Sequence, residues 1–158
     1  MAVQRFSHIA IRVTDLERSR RFYRDALEFR ELTRLEIAGG PTALLLDRPD
    51  LVLRAIFLER DGTQIELQEI DLPGRVDAVP WVRVGLAHIA LRVDDVESML
   101  ERVRQEGGAV LEASRFRSDE YDSEVLFVTD PDGTYVEIIR APGDPALAPG
   151  ESLQHAPK

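Results

Sequence analysis

Four residues in this chain have the right chemistry to hold a metal ion: His8, Glu66, His88 and Glu137. Two imidazoles and two carboxylates suit a single divalent cation such as Zn²⁺, Ni²⁺, Co²⁺, Mn²⁺ or Fe²⁺. Two hard oxygen donors favour an octahedral ion with open positions over a closed structural zinc. Composition removes several competing chemistries. Cysteine is absent from the 158 residues, and with it disulfides, thiol nucleophiles and thiolate metal sites. The only lysine is Lys158, which argues against Schiff-base and pyridoxal-phosphate chemistry. The third histidine, His155, lies in APGDPALAPGESLQHAPK, which reads as a disordered tail over residues 142–158.

A single strand histidine is more often a structural residue than a ligand. An inward glutamate is often paired with arginine, and Arg12 or Arg92 is available here. Recurrence turns the reading towards metal. HIAIRVTDLE begins at His8 and HIALRVDDVE at His88, with seven of ten positions identical. DGTQIEL begins at Asp61 and DGTYVEI at Asp132, with four of seven identical. Matched segments in matched order indicate a duplicated unit. The first unit occupies residues 1–72, a linker with Pro73, Gly74 and Pro80 spans 73–82, and the second occupies 83–141.

The elements that position the four residues follow from periodicity. SHIAIRV, FRELTRLEI, LVLRAIFLE and TQIELQEI read as strands of the first unit, and GLAHIALRV, AVLEA, EVLFVTD and TYVEIIRA as strands of the second. Asp15 opens a helix containing Leu16, Phe22, Tyr23, Ala26 and Leu27. Asp94 or Asp95 opens another that runs to about Glu106 and stops at Gly107-Gly108. GGPTALLLDRPD reads as either a short helix or a covering loop. RDG and DPDG are tight turns before the last strand of each unit. Strand side chains alternate between faces. His8, Ala10 and Arg12 therefore oppose Ile9, Ile11 and Val13, and Gln64, Glu66 and Gln68 oppose Ile65 and Leu67. The second unit repeats this, with His88, Ala90 and Arg92 on one strand and Tyr135, Glu137 and Ile139 on another. If the strands bend into an open cup, two His and two Glu converge inside it.

The net charge of −9 argues against nucleic acid and anionic lipid as partners. No run of about 18 apolar residues suggests a membrane span. No secretory signal is apparent, so a cytoplasmic location is expected.

HIAIRVTDLERSRRFYRDALEF, DGTQIELQE, HIALRVDDVE and DPDGTYVEIIR together resemble the vicinal-oxygen-chelate superfamily. That group includes glyoxalase I, methylmalonyl-CoA epimerase, extradiol dioxygenases, and the bleomycin and fosfomycin resistance proteins. The resemblance extends to about Ala141. It implies an α+β fold in which two tandem βαβββ modules form an eight-stranded U-shaped sheet around one divalent metal ion. The family's four ligands fall on His8, Glu66, His88 and Glu137, matching the bacterial glyoxalase-like set. Epimerase-like members often carry Gln at the second place, and Gln64 shares the face of Glu66.

The activity implied is a metal-dependent isomerase, epimerase or lyase that shifts a proton next to a carbonyl through a metal-chelated enolate. Glu137 is the expected base and Glu66 its partner. Gln64, Tyr135, Arg54, Arg115, Arg117 and Tyr121 are candidate contacts to a small-molecule substrate. The alternatives are an Fe²⁺ extradiol-type dioxygenase, or a non-catalytic protein that binds a small molecule or antibiotic. Members commonly form homodimers, in some of which the site is shared between chains.

Overall fold

A computed structural model of the chain describes residues 5–71, 84–120 and 122–142. The first half runs β1 (Ile9–Arg12), α1 (Leu16–Arg21), β2 (Arg30–Ala38), α2 (Gly40–Leu45), β3 (Val52–Arg60) and β4 (Thr63–Ile70). The second runs β5 (Ile89–Arg92), α3 (Val96–Gln105), β6 (Ala109–Ser118), β7 (Ser123–Thr129) and β8 (Tyr135–Arg140). Two βαβββ modules are thus present, and α2 is an insertion found in the first alone. The linker at 73–82 lies outside the described residues, as does the tail beyond Pro142.

Local chemistry sets these boundaries. The carboxylates of Asp15 and Asp95 accept from the amides of Arg18 at 2.9 Å and Ser98 at 3.0 Å, capping α1 and α3. Arginines in the last turn of each helix complement its dipole. The helix after Asp15 is shorter than its apolar spacing suggests. α1 passes at Phe22 into a π-helical turn spanning Phe22–Ala26. Phe22, Tyr23, Ala26 and Leu27 are all buried along it. Asp61 and Gly62, both at positive φ, make the two-residue turn that twisted antiparallel strands favour between β3 and β4.

The eight strands form two hydrogen-bonded sheets of four, ordered β1-β4-β3-β2 and β5-β8-β7-β6. In each, the first strand lies parallel to the last and the remaining pairs are antiparallel. One continuous core joins the halves. Ile11, Ile56, Leu58, Ile65 and Leu67 of one sheet and Leu126, Val128, Val136 and Ile138 of the other enclose Phe22, Tyr23, Leu100 and Val103. The modules therefore pack helix side to helix side.

Polar contacts cross the same seam. The Tyr23 hydroxyl donates to Asp130. Asp132 accepts from the Thr14 amide and hydroxyl, from Arg18 and from the Ser19 hydroxyl. Glu28, held at φ 59°, accepts from Arg60 of its own module and Arg102 of the other. Among the described residues no helix is long and apolar enough to cross a membrane.

Candidate metal centre

His8 and His88 stand immediately ahead of β1 and β5, and Glu66 and Glu137 lie in the strands paired with them. The parallel register sets Ala10 opposite Glu66 and Ala90 opposite Glu137. A histidine two residues before each alanine shares its face. His8 Nε2 lies 3.1 Å from Glu66 Oε2, and His88 Nε2 lies 3.3 Å from Glu137 Oε2. Neighbouring donors on an octahedral ion, each bonded at about 2.1 Å, stand about 3 Å apart. Both pairs fit that spacing.

The likeness extends beyond the pairs. Phe57 is paired with Glu66 across β3 and β4, and Phe127 with Glu137 across β7 and β8. The His8 ring meets Phe57 edge-on at 5.3 Å, and His88 meets Phe127 at the same distance. Each imidazole is thereby pinned by an aromatic edge. The alternation of LVLRAIF and EVLFV could have revealed both rings, because each shares its parity with the glutamate opposite.

The structure does not gather the four residues into one cluster. Among the described residues no three His, Asp or Glu side chains come together as a metal site. The cause is the packing of the modules: the shared core occupies both helix faces, leaving the two His/Glu faces on the outside. The chain carries two half-sites, His8/Glu66 and His88/Glu137, where convergence in one cup was expected.

The halves differ in how they hold their carboxylates. Gln68 Nε2 donates to Glu66 Oε2 at 2.8 Å, and Glu66 is buried. The position matching Gln68 is Ile139, which has no polar atom to offer. The Glu137 side chain retains 22% of its accessible surface, against 9% for Glu66. Glu66 thus has Gln68 as a second side-chain partner beside His8, and Glu137 is the more exposed of the two. Gln64 and Tyr135 are half-buried on the ligand faces.

The arginine candidates are placed otherwise. Arg54 shares its face with Ile56 and Leu58, on the helix side. It holds Glu69, whose other oxygen caps α1 at the Leu16 amide. Arg115 is engaged by Glu97 of α3 and by Glu124, and Arg117 also reaches Glu124. Arg54 and Arg115 thus serve the helix side of the sheets, away from the metal pairs. Tyr121 lies outside the described residues. Arg12 lies on the ligand face of the first sheet, in register with Gln68. Burial lowers the pKa of its guanidinium, while the charge of Glu66 acts in the opposite direction. It makes no hydrogen bond or ion pair with the described residues.

The α2 insertion sits on the ligand face of the first sheet. Ala43 packs with Leu51, Leu53 and Ala55, and Leu35 and Ile70 adjoin them. Ala55 is paired with Gln68, so this apolar cover ends beside the residue that anchors Glu66.

Known proteins share this architecture. A sequence model described as the Glyoxalase/Bleomycin resistance protein/Dioxygenase superfamily matches residues 5–138. The chain is 32% identical to a lactoylglutathione lyase of Neisseria meningitidis over 91% of this chain and 96% of that protein. It is 27% identical to an ethylmalonyl-CoA/methylmalonyl-CoA epimerase of Cereibacter sphaeroides over 86% and 97%. A glyoxalase family protein from Bacillus cereus superposes with a TM-score of 0.76 at 15% identity, over 90% of this chain and 97% of that one.

Proposed function

Because this chain belongs to the glyoxalase/bleomycin resistance protein/dioxygenase superfamily, we propose that it is a metal-dependent lyase or epimerase of the glyoxalase-like type. It moves a proton at a carbon next to a carbonyl of a small molecule. The observation that carries this reading is the duplicated His–Glu pair, with donors 3.1 and 3.3 Å apart on faces the core leaves free. The relatives named as a lactoylglutathione lyase and an ethylmalonyl-CoA/methylmalonyl-CoA epimerase support it.

His8, Glu66, His88 and Glu137 would hold the ion, and a homodimer supplies the arrangement. The His8/Glu66 face of one copy meets the His88/Glu137 face of the other, so two copies make two four-donor sites. A divalent cation held there would supply Lewis acidity to the substrate carbonyl and so make the neighbouring C–H more acidic.

The protein's own residues divide the remaining work. Gln68 keeps Glu66 in place as a ligand. Glu137, without such a tether, takes the proton from one carbon or face and returns it to another. Phe57 and Phe127 hold the imidazoles in orientation. Arg12 offers its guanidinium to an anionic group of the substrate, whereas Arg54 and Arg115 are engaged by glutamates on the helix side.

The test is metal analysis of purified protein together with proton exchange in D₂O. The hemithioacetal of methylglyoxal with glutathione, and methylmalonyl-CoA, serve as substrates. Deuterium entering next to the carbonyl of either one, abolished by chelator and restored by a divalent ion, is the expected result. Metal-free protein that neither exchanges nor turns over these compounds overturns the reading.

A further inference from the structure

The duplicated modules meet at two matching places along their seam, and the two are built differently. Counting from the histidine that opens each repeat, Phe22 matches Arg102 and Glu28 matches Gly108. On one side Gly108 packs against Phe22, and Asp132 accepts from Thr14, Arg18 and Ser19. On the other side the matching positions are Glu28 and Arg102, which form an ion pair. The counterparts of Thr14 and Asp132 are Asp94 and Asp61. Two carboxylates cannot reproduce the Thr14–Asp132 bond, and Asp61 lies 3.4 Å from Arg60 instead. The first side is closed, and the second keeps a cavity of about 630 Å³.

This cavity is lined by Arg60 of β3, Arg102 of α3 and Arg140 of β8. Arg60 shares the face of Ile56 and Leu58, and Arg140 that of Val136 and Ile138. Both therefore belong to the core side of the sheets, opposite the His–Glu pairs. With Arg92 the lining carries four guanidinium groups against the carboxylates of Glu28, Asp94 and Asp122. That is an excess of one positive charge in a chain whose net charge is −9. The carboxylates leave donors unused. Glu28 is shared between Arg60 and Arg102. Among the described residues Arg102 Nε is buried without a hydrogen-bond partner, an unfavourable state for a charged donor. Arg140 reaches Asp122 through one nitrogen, at 3.3 Å. Leu27, Leu91 and Met99 supply an apolar wall.

We propose that this open side of the seam binds a small organic phosphate, a phosphate monoester with an apolar body. A carboxylate has two oxygens and is satisfied by one arginine fork. A phosphate group has three and takes donors from arginines on several elements. The cavity is of a size that holds small organic ligands, so a body fits beside the phosphate against Leu27, Leu91 and Met99. The metal ligands stand on the outer faces of the sheets, so this site is separate from them and stands without the functional reading above. Arg60 belongs to module one, and Arg102 and Arg140 to module two. A phosphate held by them bridges the modules and stabilises the folded chain, to which alone it binds. Glu28 is its competitor for Arg60 and Arg102.

Phenyl phosphate, titrated into the full chain by calorimetry and by thermal shift, is the test, with phenol as the neutral control. Saturable binding with one site per chain and a raised Tm are expected, and phenol should give neither. Arg140→Gln and Arg102→Gln should each weaken binding by about tenfold or more. Glu28→Gln removes the competing carboxylate and should tighten binding severalfold, an effect that a purely structural ion pair would not give. Arg12→Gln and His8→Ala/His88→Ala should leave the affinity unchanged. Circular dichroism checks that each variant is folded. Arg140→Gln keeps the test decisive if Arg102→Gln unfolds, because Asp122 is itself exposed. No saturable binding up to about 10 mM, or unchanged affinity in Arg140→Gln, overturns the proposal. So does tighter binding lost only in Arg12→Gln or His8→Ala/His88→Ala, which would assign the phosphate to the metal centre. None of these outcomes bears on whether the chain is a metal-dependent enzyme.

Discussion

The Tyr23 hydroxyl donates to Asp130 Oδ2 at 3.0 Å, tying the π-helical turn of one module to the D-P-D-G turn of the other. Both groups are buried. The other carboxylate oxygen accepts from the amides of Asp132 and Thr134. Burial raises the Asp130 pKa above its ordinary value, against the downward pull of those three donors. Tyr23→Phe leaves a buried acceptor short of its donor. It should cost about 1–3 kcal/mol, measured by urea unfolding against wild type.

Asp132 gives a pH-dependent counterpart. Burial pushes its pKa up, but hydrogen bonds from Thr14 and the Arg18 ion pair outweigh burial and leave it depressed. A depressed carboxylate stabilises the fold above its unfolded pKa and loses that contribution as pH falls through its folded value. Asp132→Asn should therefore be destabilised by about 1.5–3 kcal/mol at pH 7. The gap to wild type should narrow as pH drops from about 4 towards 2. Denaturation curves at the two ends of that window check both the size and the sign.

The asymmetric tethering of the carboxylates makes a kinetic prediction. Ile139→Gln places an amide where Gln68 stands in the other half and should restrain Glu137. The expected result is a fall in kcat of about tenfold, roughly 1.4 kcal/mol of activation free energy, with metal content unchanged. An unaltered kcat would mean that Glu137 does not need to move.

Arg12→Gln should raise KM by about ten- to a hundredfold for an anionic substrate and leave kcat within a few fold, as expected when uniform binding is lost. Arg54→Gln and Arg115→Gln, by contrast, should alter thermal stability and leave KM alone, because their partners are Glu69, Glu97 and Glu124.

Gly108 packs tightly against Phe22 of the first half. A Cβ built there would stand 2.5 Å from Phe22 Cε2 and from the Thr129 carbonyl oxygen. Gly108→Ala should destabilise the protein by at least about 1–3 kcal/mol through overpacking, visible as a lowered Tm.

Much of this was legible in the residues themselves. Alternation around His8, Glu66, His88 and Glu137 predicts their shared faces, and the repeat predicts that both pairs form. Asp15 and Asp95 announce their helices because an N-cap is a local contact. The π-turn at Phe22 escapes such reasoning, because the spacing of Phe22, Tyr23, Ala26 and Leu27 is also that of an ordinary amphipathic helix. The parity of Arg54 with Ile56 and Leu58 already places it on the helix side, a signal that outward-looking charge obscures. The separation of the half-sites has no local signature at all. It depends on which faces the modules turn to each other, and that is decided by long-range packing of residues such as Leu100, Leu126 and Ile138.

The single core shared by the two halves also bears on ancestry. A half-length precursor with one module would have left a face like that of Leu126, Val128, Val136 and Ile138 bare to water. Pairing with its twin across an isologous, two-fold seam would cover that face. Two modules in one chain make that partnership internal, so the two sides of the seam need not stay alike. The reach of Asp130 and Asp132 into the first half is one such difference between the two sides.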